Sequence, residues 1–223
     1  MKKYFEILRI CPLFNDVSDQ NLSAMLSCLN AKVSFYKKKE TVIAEGSPAR
    51  YIGIALSGTL QLERTDYYGN RSLLTTIEPS EIFGESFACA NAPQMPVNVT
   101  ASEDCAVMLI DCKRIISSCT NACEFHNQMI FNLLKIVATK NIKLNQKAEI
   151  ISKRTTREKL MSYLMIHAKK NASNSFTIPF DRQQLADYLE IDRSGLSAEI
   201  SKLRDEGVIE SKKNWFKIRK ETL

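Results

Sequence analysis

No stretch of this 223-residue sequence approaches the ~20 consecutive apolar residues that a membrane-crossing helix needs, so no membrane partner is expected. The N-terminus, MKKYFEILRICPLF, lacks both the apolar core of a leader peptide and a small-residue cleavage site; the expected location is the cytoplasm. Histidine is scarce: there are only His126 and His167, and neither stands in a metal-binding pattern. The seven cysteines (Cys11, Cys28, Cys89, Cys105, Cys112, Cys119 and Cys123) are odd in number and match no zinc-module spacing. In the cytoplasm they would stay reduced, and no metal site is expected. The sequence has no glycine-rich phosphate loop, no His-Glu-x-x-His and no Gly-x-Ser-x-Gly. An enzyme needs a nucleophile–base pair, a metal cluster or a phosphate cradle, so these absences speak against catalysis. Repeats and low-complexity tracts are also missing.

What is present is an ordinary globular composition, 44% apolar and 25% charged, long enough for two modest domains with separate cores. The charge is uneven. Residues 1–152 carry 16 Lys+Arg against 15 Asp+Glu, a net +1, whereas residues 153–223 carry 15 against 10, a net +5. A near-neutral body with a basic end suits a nucleic-acid partner, although a merely solvated basic surface has the same composition.

The most informative stretch runs from Phe180 to Lys220. Asp181 is placed to cap a helix from Arg182, with Gln184 as its capping-box partner and Leu185, Ala186 and Leu189 facing inward. Glu190-Ile191 makes a turn, with Ile191 as a buried pin. Asp192 caps a second helix whose Leu196, Ile200 and Leu203 recur at core spacing, and Gly207 ends it with a left-handed cap. Val208–Glu210 and Trp215–Ile218 then read as wing strands around a Lys212-Lys213-Asn214 tip. This is the layout of a winged helix-turn-helix, and double-stranded DNA is the expected partner. The candidate contacts are Arg182, Arg193, Ser194, Gly195, Ser197, Lys202, Lys212 and Lys213. Arg193 can grip a guanine edge in a bidentate way, and the wing lysines suit phosphate. Glu199 could read cytosine, but pairing with Lys202 or Lys153 is the plainer role.

Upstream, Tyr4 to Leu29 has a helical pattern. From Val33 to Asp111 short period-two runs take over, clearest at Val42–Ala44, Tyr51–Leu56, Thr59–Arg64, Ser72–Ile77 and Ala106–Ile110. Gly- and Pro-bearing turns separate them, as in an antiparallel roll or barrel. One long helix is expected from Cys123 to Ile151. Its Ile130, Leu134, Val137, Asn141, Leu144, Ala148 and Ile151 follow steps of four and three, a seam for pairing with a second copy. Leu133, Ile136 and Ile142 lie off that seam and could pack on the helix's own roll. A break at Ser152–Thr156 precedes a further helix capped by Thr155 or Thr156, and Phe176–Pro179 reads as a short strand.

Together these features resemble the Crp/Fnr family of bacterial transcription regulators. The carriers are the turns at Gly46, Gly58, Gly69 and Gly84, the Phe83-Gly84-Glu85 start of a phosphate cassette, the long helix, and Arg193-Ser-Gly-Leu-Ser197 leading to Leu203-Arg-Asp-Glu-Gly207. The resemblance implies an α+β chain with an N-terminal antiparallel β-roll (a double-stranded β-helix, cyclic-nucleotide-binding-like), a long dimerisation helix and a C-terminal winged helix-turn-helix. The expected boundaries are residues 1–122, 123–152 and 153–223. It also implies a homodimer on a palindromic operator, with RNA polymerase as a further partner. Relatives that bind cyclic nucleotides follow the Gly-Glu pair with an Arg-Ser or Arg-Thr pair, and here Met95 and Pro96 occupy those positions. Cyclic AMP is therefore not expected as the cofactor. A small organic effector of another class is expected, in a pocket between roll and helix near Leu74, Gly84, Glu85, Ser86, Met95, Pro96, Asn98, Asn141, Leu144 and Asn145. Three alternatives stand beside this: a thiol sensor at Cys119 and Cys123, a haem held by His126 or Cys89, and a roll that serves only as a protein-interaction adaptor.

Overall fold

Short apolar or alternating runs between turns form strands over residues 32–111, as a computed structural model of residues 2–65, 67, 71–117 and 124–219 describes. Two short helices come first, α1 (Phe5–Arg9) and α2 (Asp19–Cys28). Then follow β1 (Lys32–Tyr36), β2 (Thr41–Ile43), β3 (Tyr51–Ser57), β4 (Leu60–Thr65), β5 (Arg71–Ile77), β6 (Ile82–Phe83), α3 (Glu85–Cys89), β7 (Asn98–Ala101), β8 (Cys105–Asp111) and α4 (Cys112–Ile116). The strands form two antiparallel four-stranded sheets, in the orders β1-β8-β3-β6 and β2-β7-β4-β5. The five expected strands lie within a residue or so of β2, β3, β4, β5 and β8; β1, β6 and β7 were not singled out by pattern. The turn at Tyr68-Gly69-Asn70, and Cys119 and Cys123, lie outside the described residues.

The roll interior is filled by Ile43, Ala55, Leu60, Ile77, Phe83, Met95, Val97, Val99 and Val107. A second core lies on the other side of the first sheet, where Ile52, Ile54, Met108 and Ile110 meet Leu8, Leu13, Phe14, Leu22, Met129 and Leu133. β3 and β8 thus bury both faces, which is why Ile52 to Leu56 are buried without interruption. Backbone geometry matters most at two glycines. Gly84 has φ +76°, and a Cβ there would stand 2.9 Å from the Tyr51 carbonyl oxygen. At Gly53 a Cβ would fall 2.1 Å from Cζ of Phe83, so only glycine leaves room for that ring.

The chain divides into two compact units, Met1–Thr139 and Lys140–Leu223, inside one continuous helix, α5 (Glu124–Ile151). In the second unit the last turn of α5 is already part of the core: Ile150 packs with Leu160, Leu164, Leu185, Leu196 and Phe216. The chain breaks at Ser152–Thr155 and continues as α6 (Thr156–Lys170), β9 (Ser175–Thr177), α7 (Arg182–Leu189), α8 (Arg193–Asp205), β10 (Ile209–Lys212) and β11 (Trp215–Ile218). Three strands pair antiparallel in the order β10-β11-β9. Local chemistry sets the helix starts. Thr155–Glu158 and Asp181–Gln184 both form reciprocal capping boxes, and Asp192 caps α8 through the Gly195 amide. Gly207 takes φ +73° directly after α8 and lets the chain reverse into the wing.

Four of the seven expected seam residues lie open on α5. Leu134 and Leu144 are 64% and 67% exposed, and Asn141 and Ala148 are exposed too. Val137, however, packs against the first-unit core beside Leu133 and Ile136, and Ile130 and Ile151 are half-buried. Ile142, read as a residue that could face the roll, is 58% exposed, as is Phe131 at 60%. The open apolar positions are therefore Phe131, Leu134 and Ala138 in the first unit and Ile142 and Leu144 in the second. A straight helix repeats every 3.6 residues, so a seven-residue template drifts around its surface.

Candidate nucleic-acid interface and sensing cassette

The tight turn between α7 and α8 sets the angle between them. Glu190 adopts φ +53°, which brings the Ile191 amide back to the Ala186 carbonyl at 3.1 Å. Ile191 is half-buried and packs against the core without entering it. Asp192 then accepts from the Gly195 amide at 2.9 Å and from the Ser194 hydroxyl. These contacts, Ser194 first, hold its carboxyl below the usual range and keep it charged at the positive end of α8.

Arg193, Ser194, Gly195 and Ser197 come together at this exposed end of α8, and Lys202 is exposed farther along. The two serine hydroxyl protons are already engaged: Ser194 donates to Asp192, and Ser197 donates to the Arg193 carbonyl at 2.9 Å. Ser201 continues the face one turn on, donating to the Ser197 carbonyl at 3.1 Å; its i, i+4 spacing from Ser197 was the signal for it in the sequence. Gly195 leaves open space, since the nearest atom to an added Cβ is Asp192 Oδ2 at 3.8 Å. On the wing, Lys212 and Lys213 are exposed, and Lys213 takes φ +53°. Asn214 pins the tip by donating to the Ile178 carbonyl at 3.2 Å and accepting its amide at 2.9 Å. Arg182 is half-buried with its guanidinium 5.1 Å from the centre of the Phe216 ring, so it packs α7 onto the wing. Burial, and then Arg204, lower its pKa.

In the first unit, Gly84 turns the chain into α3 and carries Glu85 into the interior, 3% exposed. Ser86 is exposed and donates to Glu85 Oε1 at 3.2 Å. Met95 is 2% exposed and belongs to the roll core; its amide and carbonyl bond Ser47 and Gly46, each at 2.8 Å. Pro96 is half-buried, and Asn98 accepts from the Glu45 amide at 2.9 Å. Leu74 stands on β5, 49% exposed. Asn141, Leu144 and Asn145 are exposed on the part of α5 that belongs to the second unit, where Asn145 donates to Asn141 at 2.8 Å. From Ser72 to Cys112 there is no lysine or arginine, whereas Glu78, Glu81, Glu85, Glu103, Asp104 and Asp111 are all acidic. His126 is buried with Nε2 2.7 Å from the Ile115 carbonyl, so that nitrogen is engaged within the fold.

Two family models match, one after the other. A cyclic nucleotide-binding domain covers residues 33–120, and a Crp-like helix-turn-helix domain covers residues 158–222. The chain belongs to the Crp/Fnr family of transcription regulators. It is 24% identical to the transcriptional activator protein FnrL of Cereibacter sphaeroides over 189 residues, which is 78% of this chain and 71% of that protein. Among solved structures it resembles the c-di-GMP responsive global regulator CLP of Xanthomonas campestris, at TM-score 0.55 and 14% identity, covering 88% of this chain and 98% of that one. It also resembles the catabolite activator protein of Thermus thermophilus, at TM-score 0.50 and 18% identity, covering 93% of each. Crp/Fnr proteins are DNA-binding regulators rather than enzymes. No helix among the described residues is long and apolar enough to cross a membrane.

In this Crp/Fnr regulator α8 is held by groups that no sequence spacing announced. Arg157, near the start of α6, reaches Glu206 at 2.6 Å and Glu199 at 3.8 Å. Glu199 is thus a structural partner of Arg157 rather than of Lys202 or Lys153, the partners expected from sequence. Lys159 donates to the Leu189 carbonyl at 3.2 Å, placing a cation at the negative end of α7. Lys147, on α5, stands 5.4 Å over the Tyr188 ring.

Proposed function

We propose that this Crp/Fnr regulator acts as a homodimer that presents two copies of α8 to a palindromic operator, under the control of a small organic effector other than a cyclic nucleotide. The observation that carries the DNA reading is the exposed N-terminal end of α8, with Arg193 free of acidic partners among the described ion pairs. A helix entering the major groove uses such residues on base edges. Arg193 grips guanine O6 and N7. Ser194, Ser197 and Ser201 offer lone pairs to base amino groups, and Gly195 admits close backbone approach. Lys202, Lys212 and Lys213 sit on phosphates, and Arg182 acts from below by steadying the wing.

The open seam positions Leu134, Asn141, Leu144 and Ala148, with Phe131 and Ile142 beside them, support pairing of α5 with a second copy. Two such seams cover each other about a two-fold axis, and Asn141 supplies the polar contact that fixes register. The two α8 helices then stand about 34 Å apart, one turn of duplex. RNA polymerase is the further partner of such a dimer at a promoter.

For the effector, a cyclic phosphate carries a full charge, and burying it without a cation costs several kcal/mol. Met95 stands where the cation would be, and the segment from Ser72 to Cys112 offers none. These residues do not fit a cyclic nucleotide. Glu85, Ser86 and Asn98, with the Gly84 turn and Pro96 beside them, suit a neutral or cationic molecule.

Fluorescence anisotropy on operator and random duplexes at graded salt tests the DNA roles. Arg193→Ala should weaken operator binding about 5- to 150-fold, from about 1–3 kcal/mol of lost discrimination, and leave random DNA little changed. Lys213→Ala should weaken both alike and lower the salt slope by about 1. If the two substitutions act identically on both duplexes, the assignments fail. Absence of DNA binding at every salt concentration would favour the adaptor reading.

A further inference from the structure

Two of the described cysteines meet. Cys89 ends α3 and Cys112 begins α4, and their sulfur atoms lie 3.7 Å apart. Cys89 is an exposed residue, whereas Cys112 is 3% exposed, so Cys89 is the partner nearer solvent. The backbone at Cys112 is well anchored. Its amide donates to the Arg50 carbonyl at 3.0 Å, and the preceding Asp111 is gripped by Arg50 and caps α4 by accepting from the Lys113 amide at 2.9 Å. A disulfide has a sulfur–sulfur distance of about 2.05 Å, so the atoms must close by about 1.6 Å.

We infer that Cys89 and Cys112 are a redox-modification site, closing to a disulfide that ties the cassette helix α3 to α4. The inference stands whatever ligand the roll takes. With a peroxide as oxidant, the Cys89 sulfur attacks one peroxide oxygen. The O–O bond breaks, and Cys89 becomes a sulfenic acid with release of one water. The Cys112 sulfur then attacks the Cys89 sulfur, and the S–O bond breaks. The departing hydroxide takes the Cys112 thiol proton, giving the disulfide and a second water. Two thiols lose two electrons in total, and the peroxide gains them. A dithiol reductant reverses the change by exchange. Burial pushes both thiols up, Cys112 to about 12, which slows the first attack because the thiolate is the nucleophile, so the geometry of the pair carries the inference. In a reducing compartment, disulfides that do form are mostly transient and regulatory.

The test is peptide mapping of the full chain after hydrogen peroxide treatment, with free thiols alkylated and no reductant present. The expected product is a Cys89–Cys112 linked peptide that disappears with dithiothreitol. It should persist in a Cys119→Ser/Cys123→Ser double variant and be lost in Cys89→Ser. Cys89→Ser changes the exposed partner and leaves the buried one in place, so the chain should melt as wild type when reduced. Oxidation should raise the melting temperature of the wild type and leave that of Cys89→Ser unchanged. Recovery of Cys89 joined to a different cysteine, or as a sulfinic acid with Cys112 still a thiol, would overturn the inference.

Discussion

Replacing Met95 by alanine separates a core filler from a pocket wall. The side chain is 2% exposed and lies among Ile43, Phe83, Val97 and Val99. Truncating a buried side chain of this size loses its transfer free energy and leaves a void, together about 2–5 kcal/mol. At roughly 3 °C per kcal/mol for a unit of this length, the melting temperature should fall by about 6–15 °C. Circular dichroism melts of the full chain, with urea titration as a check on the slope, read this directly. The roll's transition should move while that of the winged helix stays in place. If the side chain instead walled an open ligand site, alanine would cost under about 1 kcal/mol, since it would leave no new void. A near-neutral result would therefore refute the claim that Met95 fills the interior. Marked stabilisation of the wild type by cyclic AMP would refute the companion claim about the missing cation.

Three further outcomes are expected. Thr155→Ala removes one half of the capping box that starts α6 and should cost about 1 kcal/mol in the second unit, measured by urea unfolding. Burial, and then Lys170, hold the His167 imidazole below its ordinary value of 6.5. The unfolded chain takes up a proton as pH falls through that value while the folded chain resists it, so stability should drop on acidification from about pH 7 to 5. His167→Phe, in contact distance of Tyr163 and Phe176, should flatten that slope in melts across the window. Leu134→Asp places a charge among the open seam positions of α5 and should turn a dimer into a monomer by light scattering, with the melting temperature of a dilute sample little changed. An unaltered mass would count against pairing through α5.

Much of the second unit could be read directly because its signals are local. Asp181, Gln184, Asp192 and Gly207 each act within four residues of where they stand, so spacing alone places the helix starts and the reversal into the wing. The roll was legible where turns separate its strands, but β6 is only two residues long and β7 is short and mixed, so neither carries a period. What pattern cannot supply is distance across the fold. The Arg157 contacts with Glu199 and Glu206 and the approach of Cys89 to Cys112 join residues far apart in sequence. On α5, Val137 and Leu134 look alike in a seven-residue template, and only the neighbouring core decides which of them it covers. At the start of α8, residue type singled out Arg193 as a candidate, while the hydrogen bonds of Ser194 and Ser197 to Asp192 and the Arg193 carbonyl were not legible from spacing.

The notch at Gly53 has a consequence for how the chain finds its own pairing. Sliding a strand by one residue normally throws apolar side chains into water, and that penalty enforces alignment. β3 has no wet side and both residues of β6 are buried, so a slipped alignment of the two would still leave greasy atoms covered. Directly opposite Gly53 on β6 sits Phe83, whose ring occupies the volume any larger residue would claim. A one-residue slip would drive that ring against Ile52 or Ile54. A missing side chain thus acts as the alignment key for a wall that hydrophobicity alone leaves ambiguous, and Gly53→Val should yield misassembled rather than merely weakened protein.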